Sequence, residues 1–404
     1  MTAGGWSARA RMSGPLTVFV EEFEAELGRQ GYAPGSVAHH LRLMASLDRL
    51  LARRGLGVMG LTSAVVEEFM AARRAAGRHG HTASTLEPLL VYLRGLGVTP
   101  PPAAALVVDG PVQRLLARYR SYLSVERGLA VSTVDGYAKL VDPFVQSRQV
   151  GDRLDLDALT AADVSAFVVA SCRVRRGREV VTALRSLLRF LALEGLIGVE
   201  LSAAVPSAAG RRLSGLPQTL SVDETRRLLE SCERSSGVGR RDHAILTLLA
   251  RMGLRSGEVA ALVLDDIDWR AGEITVSNGK RGRRERLPLP VDVGSALVEY
   301  LRDGRPTNAQ TRHVFVRSIA PLRGLSSGGV AEVVRAAGVR AGIGEIGAHR
   351  LRHTAASQML AAGAPLAEIG EVLRHRLTQT TAIYAKVDHR ALRELARPWP
   401  GGAS

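Results

Sequence analysis

Cysteine, lysine and long apolar runs are scarce in this chain. Cys172 and Cys232 are its only cysteines, which are too few for a disulfide scaffold or a cysteine-built zinc site and are typical of a reducing compartment. No stretch approaches the roughly 18 apolar residues of a membrane-spanning helix. The basic N-terminal segment also lacks the apolar core of a signal peptide. These absences favour a cytoplasmic protein without a membrane partner.

Positive charge is carried almost entirely by arginine. The chain has 54 lysines and arginines against 39 acidic residues and a formal net charge of +15, which favours a polyanion as its partner. Lys139, Lys280 and Lys386 are the only lysines. Lys280 lies in a Gly-Lys-Arg-Gly turn, where a titratable amine stands in a chain that otherwise uses arginine.

The length of 404 residues leaves room for two or three domains. Hydrophobic periodicity predicts helices through most of the chain, and clusters of proline, glycine and serine mark the linkers. From the N-terminus the predicted segments are a disordered tail at 1–15, a helical module at 16–98, a linker at 99–110, a second helical domain at 111–204, a linker at 205–219 and a C-terminal domain at 220–404.

The C-terminal domain is predicted to be mainly α with a small antiparallel β-sheet. Ser221 is expected to cap one helix. Gly253 is expected to end another, with Ser256 capping the helix that follows. The runs Ile274–Val276 and Arg286–Leu289 flank an Asn-Gly turn and therefore predict a β-hairpin with the lysine turn at its tip.

An internal repeat relates the two helical segments. The motif Leu61–Phe69 recurs at Leu159–Phe167 in the same register, and Gly31 aligns with Gly128. Two copies of one small helical bundle, each with a threonine capping its third helix, account for this pattern. The alternative is that two leucine-rich bundles converged by chance.

The densest cluster of candidate functional residues lies within 347–387. His349 and Arg352 stand three residues apart, so on a helix they share one face and can address one small anion. His375 and Tyr384 follow, separated by a threonine-rich turn. A guanidinium, two imidazoles and a phenol gathered in this way suit attack on a phosphodiester.

This pattern, HxxR, then LRH, then a tyrosine nine residues later, resembles the C-terminal signature of the tyrosine recombinases, or phage integrases. Upstream, Gly253–Glu258 (GLRSGE) is similar to that family's first arginine box, and Asn278–Gly282 (NGKRG) to its hairpin lysine. Five such elements in order are far more specific than any one of them. The resemblance runs from about Pro111 to Pro400. It implies helical SAM-like bundles followed by an integrase-type catalytic domain.

The resemblance assigns six catalytic residues: Arg255, Lys280, His349, Arg352, His375 and Tyr384. Tyr384 would attack the scissile phosphate and become esterified to the 3′ phosphate. The arginines would hold the non-bridging oxygens, the first and last histidines of the motif would stabilise the phosphorane and handle the nucleophile's proton, and Lys280 would protonate the departing 5′ oxygen. Glu258 is expected to orient Arg255 or a catalytic histidine. No metal, nucleotide or other cofactor is implied.

The second helical domain resembles the family's core-binding domain, which lays helices on the DNA duplex. Its arginines would contact phosphates with little reading of sequence, and the alternative for each is a solvated position on a helix face. These arginines are Arg173, Arg175, Arg176, Arg178, Arg185 and Arg189. The N-terminal module is an addition that the shortest family members lack, and it is expected to extend the DNA footprint or to contact another protomer.

Two positions depart from the family pattern. Arg374 stands where glycine usually precedes the second histidine, so its side chain could reach the phosphate or perturb His375. Arg281 replaces a glycine in the lysine turn. His353, next to Arg352, is interpreted as a core histidine, because its neighbours His349 and Arg352 already occupy the functional face of the helix.

A metal-dependent alternative rests on Asp265, Asp266 and Asp268, which could suggest a two-metal nuclease or an acidic-triad transposase. Three acids within four residues before a hairpin are more typical of turn and cap residues, so the metal reading is disfavoured.

The sequence is therefore interpreted as a site-specific DNA recombinase, the integrase or transposase of a mobile element. It is expected to act on double-stranded DNA as a homo-tetramer, or as a tetramer mixed with related recombinases. Two alternatives remain: a non-catalytic DNA-binding subunit of a recombination complex, and a type IB topoisomerase-like nicking and closing enzyme.

Overall fold

The computed structural model describes residues 12–76, 85–100, 110–172, 177–206, 218–278 and 283–374, together with Thr381 and Tyr384. It contains two compact units: one combines Met1–Thr99 with Leu213–Ser404, and the other is Pro100–Arg212. The N-terminal module therefore groups with the C-terminal domain, although the second helical domain separates them in sequence. None of the helices in these ranges has the length and apolarity needed to cross a membrane.

The N-terminal module is a bundle of helices. They are α1 (Val20–Arg29), α2 (Pro34–Arg53), α3 (Ser63–Ala75) and α4 (Glu87–Gly95). Pro34 opens α2, where its missing N–H costs no hydrogen bond. Thr62 caps α3 by accepting a hydrogen bond from the Val65 backbone N–H. Phe23 and Met44 lie fully buried in the apolar core between these helices.

The last residues of the segment predicted to be a disordered tail, 12–15, are ordered in the structure. Residues 1–11 lie outside the described residues, but Met12 is buried. The backbone N–H groups of Gly14 and Leu16 donate to the buried carboxylate of Asp48 on α2, at 2.9 and 2.8 Å. Because these bonds hold the entering chain against the bundle, ordered structure begins by Met12 rather than at Leu16.

The loop after α1 contacts the C-terminal domain. The Leu322 backbone N–H donates to the Gln30 carbonyl at 2.9 Å. Next to it Gly31 has φ = 82°, and a Cβ at this position would lie 2.3 Å from Leu322 Cδ1. Glycine is required here both for its backbone conformation and for the close approach of Leu322.

The second unit is also a helical bundle. Its elements are α5 (Pro111–Ser121), a π-helical turn (Tyr122–Glu126), α6 (Val131–Gln146), the short antiparallel strands β1 (Gln149–Val150) and β2 (Arg153–Leu154), α7 (Ala161–Cys172) and α8 (Gly177–Leu193). Tyr119, Phe144 and Phe190 are buried in its core. Thr160 Oγ1 accepts from the Asp163 backbone N–H, and the Asp163 carboxylate accepts from Thr160 N–H, so the two residues cap α7 reciprocally.

The four α-helices of the two bundles can be compared in chain order, although the second bundle also contains β1, β2 and the π-helical turn. A threonine caps the third helix in both. Glycines with positive φ follow the first helical segment, at 82° for Gly31 and 57° for Gly128, and the last helix, at 70° for Gly97 and 66° for Gly195. Shared helix order, caps and left-handed turns are what two copies of one bundle require.

The C-terminal domain is mainly helical around a three-stranded antiparallel sheet, so the predicted fold class is confirmed. Its elements are α9 (Val222–Glu230), α10 (Gly237–Met252), α11 (Ser256–Ala261), β3 (Ile267–Asp268), β4 (Glu273–Asn278), β5 (Arg283–Pro288), α12 (Val291–Asp303), α13 (Ser327–Arg340), α14 (Ala348–Ala361) and α15 (Leu366–Val372). Ser221 caps α9 with a capping box, as predicted. Strands β4 and β5 form the predicted hairpin, with Ile274 opposite Leu287. Helix α10 is the central element, since Ile245 and Leu249 are fully buried.

Candidate active site

Arg255 lies in the turn between α10 and α11. Gly253 ends α10 with φ = 58°, and a Cβ at this glycine would lie 2.7 Å from Leu373 Cδ2, so the turn packs closely against the end of α15. Helix α11 begins at Ser256, and Arg255 rather than Ser256 is its N-cap residue. The prediction of a Ser256 cap was therefore wrong. The carboxylate of Glu258 accepts the Arg255 backbone N–H at 2.8 Å and fulfils that role instead.

Glu258 is a buried carboxylate that two arginines share. Its Oε1 atom is 2.7 Å from Arg255 Nη1, and its Oε2 atom is 2.8 Å from Arg374 Nη2. Burial alone would raise the pKa of Glu258, but Arg374 and Arg255 together outweigh it and lower that pKa. The group is therefore a carboxylate at neutral pH, in contact with Arg255 as the predicted orienting role requires.

Arg352 on α14 is held by backbone carbonyls. Its guanidinium donates to the Gly253 carbonyl at 2.5 Å and to the Leu373 carbonyl, and only 4% of the residue is exposed. Burial lowers the pKa of Arg352 to about 10, and the neighbouring charges of Arg255 and Arg374 act in the same direction. The guanidinium remains charged at neutral pH, since its pKa stays well above 7. Its position is fixed by the α10–α11 turn on one side and the end of α15 on the other.

Arg374 adopts a conformation that side chains rarely tolerate. Its φ is 56°, and it is buried with Nη1 donating to the Val372 carbonyl at 3.0 Å. Arg255 Nη2 also approaches the Arg374 carbonyl at 3.4 Å. The sequence suggested that this side chain could reach phosphate or perturb His375; the structure places it on Glu258. Its departure from the family's glycine was the signal that something unusual occurs there, but its partner could not be read from the sequence.

Tyr384 is almost completely enclosed, with 1% of its surface exposed. It packs in a small apolar cluster with Ala356, Ile369 and Leu373. Burial raises the pKa of Tyr384, while the charge of Arg352 acts in the opposite direction. The phenol thus keeps its proton at neutral pH. The charge of Arg352, the predicted phosphate-binding arginine, acts on this phenol.

His353 contacts the phenol directly. Its Nδ1 atom lies 2.9 Å from the Tyr384 hydroxyl oxygen, and the two ring centroids are 5.6 Å apart. The interpretation of His353 as a core histidine missed this contact, because it assigned the functional face of the helix to His349 and Arg352 alone. Position alone offered a signal: His353 lies four residues after His349 on one helix, so both imidazoles share a face. His349 itself is exposed in the first turn of α14.

The remaining predicted catalytic residues, Lys280 and His375, lie outside the described residues, as does Arg281. Strands β4 and β5 lead into and out of the lysine turn. Among the described residues, the structure gathers Arg255, Glu258, Arg352 and Tyr384 around the junction of the α10–α11 turn, α14 and the end of α15.

The predicted DNA-binding arginines have different environments. Arg173, Arg175 and Arg176 lie outside the described residues, as does the side chain of Arg178. Arg185 is half-buried on α8 and donates to the Val205 carbonyl at 2.9 Å. Arg189 is exposed on the same helix. Of the described pair, Arg189 is the one whose side chain is open to solvent.

The three aspartates of the metal-dependent alternative serve as ion-pair and turn residues. Asp265 bonds to Arg312 and Asp266 to Arg284. Asp268 accepts the backbone N–H groups of residues 270 and 271, at 3.0 and 2.9 Å. These contacts account for the acidic run without a metal ion.

Comparison with known proteins identifies the family. Residues 218–390 match the phage integrase family, and residues 116–195 match the phage integrase N-terminal SAM-like domain. The integrase/recombinase y4rA of Sinorhizobium fredii is 41% identical over 399 residues, which cover 96% of this chain and 96% of that protein. The chain belongs to the phage integrase family of tyrosine recombinases. The resemblance inferred from the sequence is thereby confirmed.

Further relatives agree with this assignment. The tyrosine recombinase XerD of Mycobacterium tuberculosis is 33% identical over 308 residues, covering 71% of this chain and 96% of XerD. Among solved structures, the chain is similar to the XerH site-specific recombinase in a post-cleavage complex with palindromic difH substrate. The TM-score is 0.57 at 20% identity, and the match covers 71% of this chain and 96% of that chain. The latter likeness shows the fold. As a tyrosine recombinase, the protein is an enzyme that cuts and rejoins DNA.

Proposed function

We propose that this tyrosine recombinase integrates or moves a mobile element by site-specific recombination, with Tyr384 as the nucleophile. One observation carries the assignment of the residue: the buried phenol of Tyr384 is close enough to a buried, charged arginine, Arg352, for that charge to act on its pKa, and two backbone carbonyls hold the guanidinium in place. The near full-length similarity to the integrase/recombinase y4rA supports the link to a mobile element.

Charge complementarity supports the chemistry. A phosphodiester carries one negative charge, and attack at phosphorus adds about one more in the transition state, so fixed cations are the main source of rate acceleration. Arg255 and Arg352 present planar, permanently charged groups that suit the non-bridging oxygens. Glu258 neutralises part of this charge while the site is empty of DNA and holds Arg255 in position.

The proposed reaction has two balanced steps. In cleavage the Tyr384 phenol gives its proton to a histidine of the site, its oxygen bonds to phosphorus, the bond from phosphorus to the 5′ oxygen breaks, and Lys280 gives that oxygen a proton. In rejoining Lys280 takes the proton of the attacking 5′ hydroxyl of a second strand, the bond from phosphorus to the Tyr384 oxygen breaks, and the histidine returns its proton to the phenol. His349 and His375 are assigned to stabilise the phosphorane and to handle the nucleophile's proton. Neither a metal ion nor a nucleotide has a part in these steps.

The proposed partner is double-stranded DNA, and the proposed assembly is a homo-tetramer on paired sites, or one mixed with related recombinases. The net charge of +15 suits the polyanion. The six predicted catalytic residues argue against a subunit that only binds DNA.

A nicked suicide duplex tests the proposal. The duplex is built from the sequence that the protein protects in a footprint, with a nick placed so that the cleaved end diffuses away. Wild-type protein should form a covalent adduct in the presence of a chelator, and Tyr384→Phe should form none. Tyr300→Phe is the matched control, because it removes another buried hydroxyl, one that bonds the Val316 backbone at 3.2 Å, and should retain adduct formation. An adduct on Tyr384→Phe, or peptide mapping of the ester to another residue, would refute the nucleophile.

Two products separate the recombinase from its alternatives. Joining of strands from two different duplexes indicates recombination, whereas relaxation of one supercoiled plasmid without exchange indicates a topoisomerase-like enzyme. Specific DNA binding with no adduct from the wild-type protein would instead indicate a non-catalytic subunit.

A further inference from the structure

His353 and the proposed nucleophile are held together by elements that fix both side chains. His353 belongs to helix α14, and Tyr384 is packed against Ala356 of the same helix and against the end of α15. The 2.9 Å between His353 Nδ1 and the Tyr384 oxygen is a hydrogen-bond distance, across which a proton can move in one step. The contact therefore has the geometry of a proton acceptor, His353 Nδ1, next to a proton donor, the Tyr384 hydroxyl.

The charges around this pair favour the protonation states that such a transfer needs. Burial lowers the pKa of His353, and His349 and Arg352 on the same helix lower it further. Burial raises the pKa of Tyr384, which faces His353 from the C-terminal segment. At neutral pH a neutral imidazole thus faces a phenol that keeps its proton. The phenol must lose that proton in order to attack phosphorus.

The two imidazoles of α14 differ in their access to the nucleophile. His349 is exposed at the start of the helix, whereas His353 is half-buried one turn further on, at the phenol. His349 is thus available to a phosphate that arrives from solvent, and His353 is available to the Tyr384 oxygen. The structure separates two tasks that the sequence had given to one set of histidines.

We propose that His353 is the general base of strand cleavage in this protein. The inference rests on the proposed function, since it takes Tyr384 as the nucleophile. As the Tyr384 oxygen bonds to phosphorus, its proton passes to His353 Nδ1, while the 5′ oxygen leaves and takes its proton from the general acid. In rejoining, the general acid, deprotonated in cleavage, takes the proton of the attacking 5′ hydroxyl, and the imidazolium returns its proton to the departing Tyr384 oxygen. The bound phosphate also favours the imidazolium, because its negative charge offsets the neighbouring Arg352.

The test compares two substitutions at this position with one matched control. His353→Gln can still hydrogen-bond the phenol but cannot take up its proton at neutral pH, and His353→Phe can do neither. Both are expected to form the suicide-substrate adduct about 100-fold more slowly than wild type, which is the scale of a lost general base. His243→Gln alters another half-buried histidine, on α10, and should leave the rate unchanged. DNA binding, measured by gel shift, reports whether each variant is folded.

A substrate with sulfur in place of the bridging 5′ oxygen separates the base from the acid. Sulfur leaves without a proton, so the defect of Lys280→Ala should shrink on this substrate, whereas the defect of His353→Gln relative to wild type should persist. If the sulfur substrate restored His353→Gln to the wild-type rate, His353 would act on the leaving group and the proposal would be wrong.

The pH dependence of adduct formation supplies a readout that a purely structural histidine would not change. The wild-type rate should rise with pH as His353 loses its proton and then level off. His353→Gln should lack that inflection. An unchanged profile would refute the proposal.

A competing role for His353 is to hold Tyr384 in a resting position until DNA binds. In that case His353→Phe would cleave as fast as wild type or faster, and this result would overturn the assignment as base. A full rescue by glutamine would overturn it as well, because hydrogen bonding alone would then suffice. Failure of wild-type protein to form any adduct would instead remove the proposed function itself, so the two failures are distinguishable.

Discussion

Arg374 and Glu258 form a buried ion pair beside the candidate catalytic residues, with Nη2 and Oε2 2.8 Å apart and side-chain exposures of 2% and 4%. The pair occurs at a residue with φ = 56°, a conformation that favours glycine. Glycine is also the residue that the family pattern led us to expect there. This chain accepts backbone strain at residue 374, and Glu258 gains a second cation.

Substitution of Arg374 should separate the strain from the ion pair. Arg374→Gly and Arg374→Ala both leave Glu258 with Arg255 as its remaining cation, and each should lower the free energy of unfolding by about 3 kcal/mol before backbone effects. The alanine variant should be about 1 kcal/mol less stable than the glycine variant, because only glycine adopts the left-handed conformation without strain. Urea unfolding with linear extrapolation measures both. Equal stabilities would show that residue 374 is not left-handed.

Glu258→Gln should change how stability depends on pH. The pKa of Glu258 is lowered in the folded protein, so its contribution to stability is present above the unfolded-state value of about 4.3 and is lost as the pH falls through the lower folded value. Wild type should therefore be more stable than the variant by about 3 kcal/mol at pH 7. The difference should shrink below about pH 4. A difference that stayed constant between pH 7 and pH 3 would contradict a charged Glu258.

Gly31→Ala should loosen the contact between the N-terminal module and the C-terminal domain. An added Cβ would collide with Leu322, whereas at Gly97, which has φ = 70°, it would meet no atom within 4 Å. Both variants bear the left-handed strain, of about 1 kcal/mol, but only Gly31→Ala should also increase trypsin cleavage after Arg317 or Arg323, on either side of Leu322. If both variants were cleaved at the wild-type rate, the contact would not protect this loop.

Two arginines of α8 should respond differently to alanine substitution. Arg189 is exposed, and if it contacts phosphate its loss should reduce the slope of log affinity against log salt by about 0.9. Arg185 donates to the Val205 carbonyl, so Arg185→Ala should mainly lower the free energy of unfolding, by about 1 kcal/mol. Filter binding across a salt series and urea unfolding provide the two measurements. An unchanged salt slope for Arg189→Ala would remove Arg189 from the DNA surface.

The features that the sequence predicted correctly depend on short stretches of chain. The hairpin of β4 and β5 and the Ser221 cap follow from turn and capping residues, and the helices follow from hydrophobic periodicity. The family followed from motifs in fixed order. In each case the information lies within a few residues or in a spacing, and both can be read directly from the chain.

What the sequence did not predict depends on side chains that meet only after folding. The contact of His353 with Tyr384 and the pairing of Arg374 with Glu258 each join residues from separate elements. The N-cap of α11 was assigned to Ser256 because serine is a common capping residue. In the structure the N-cap is Arg255, and the Glu258 carboxylate accepts its backbone N–H. The contact between Gln30 and Leu322 joins segments that the whole second helical domain separates in sequence, and no local sequence pattern predicts it.

The enclosure of Tyr384 bears on the fate of a broken strand. A phosphotyrosine ester is an activated linkage, and bulk water would discharge it irreversibly and leave a permanent nick. With Tyr384 as the proposed nucleophile, the ester would lie on a residue packed among apolar side chains of α14 and α15, which restricts the access of water and favours attack by a hydroxyl delivered along the DNA itself. The packing around Tyr384 would then protect the broken strand from hydrolysis as much as the catalytic groups promote its rejoining.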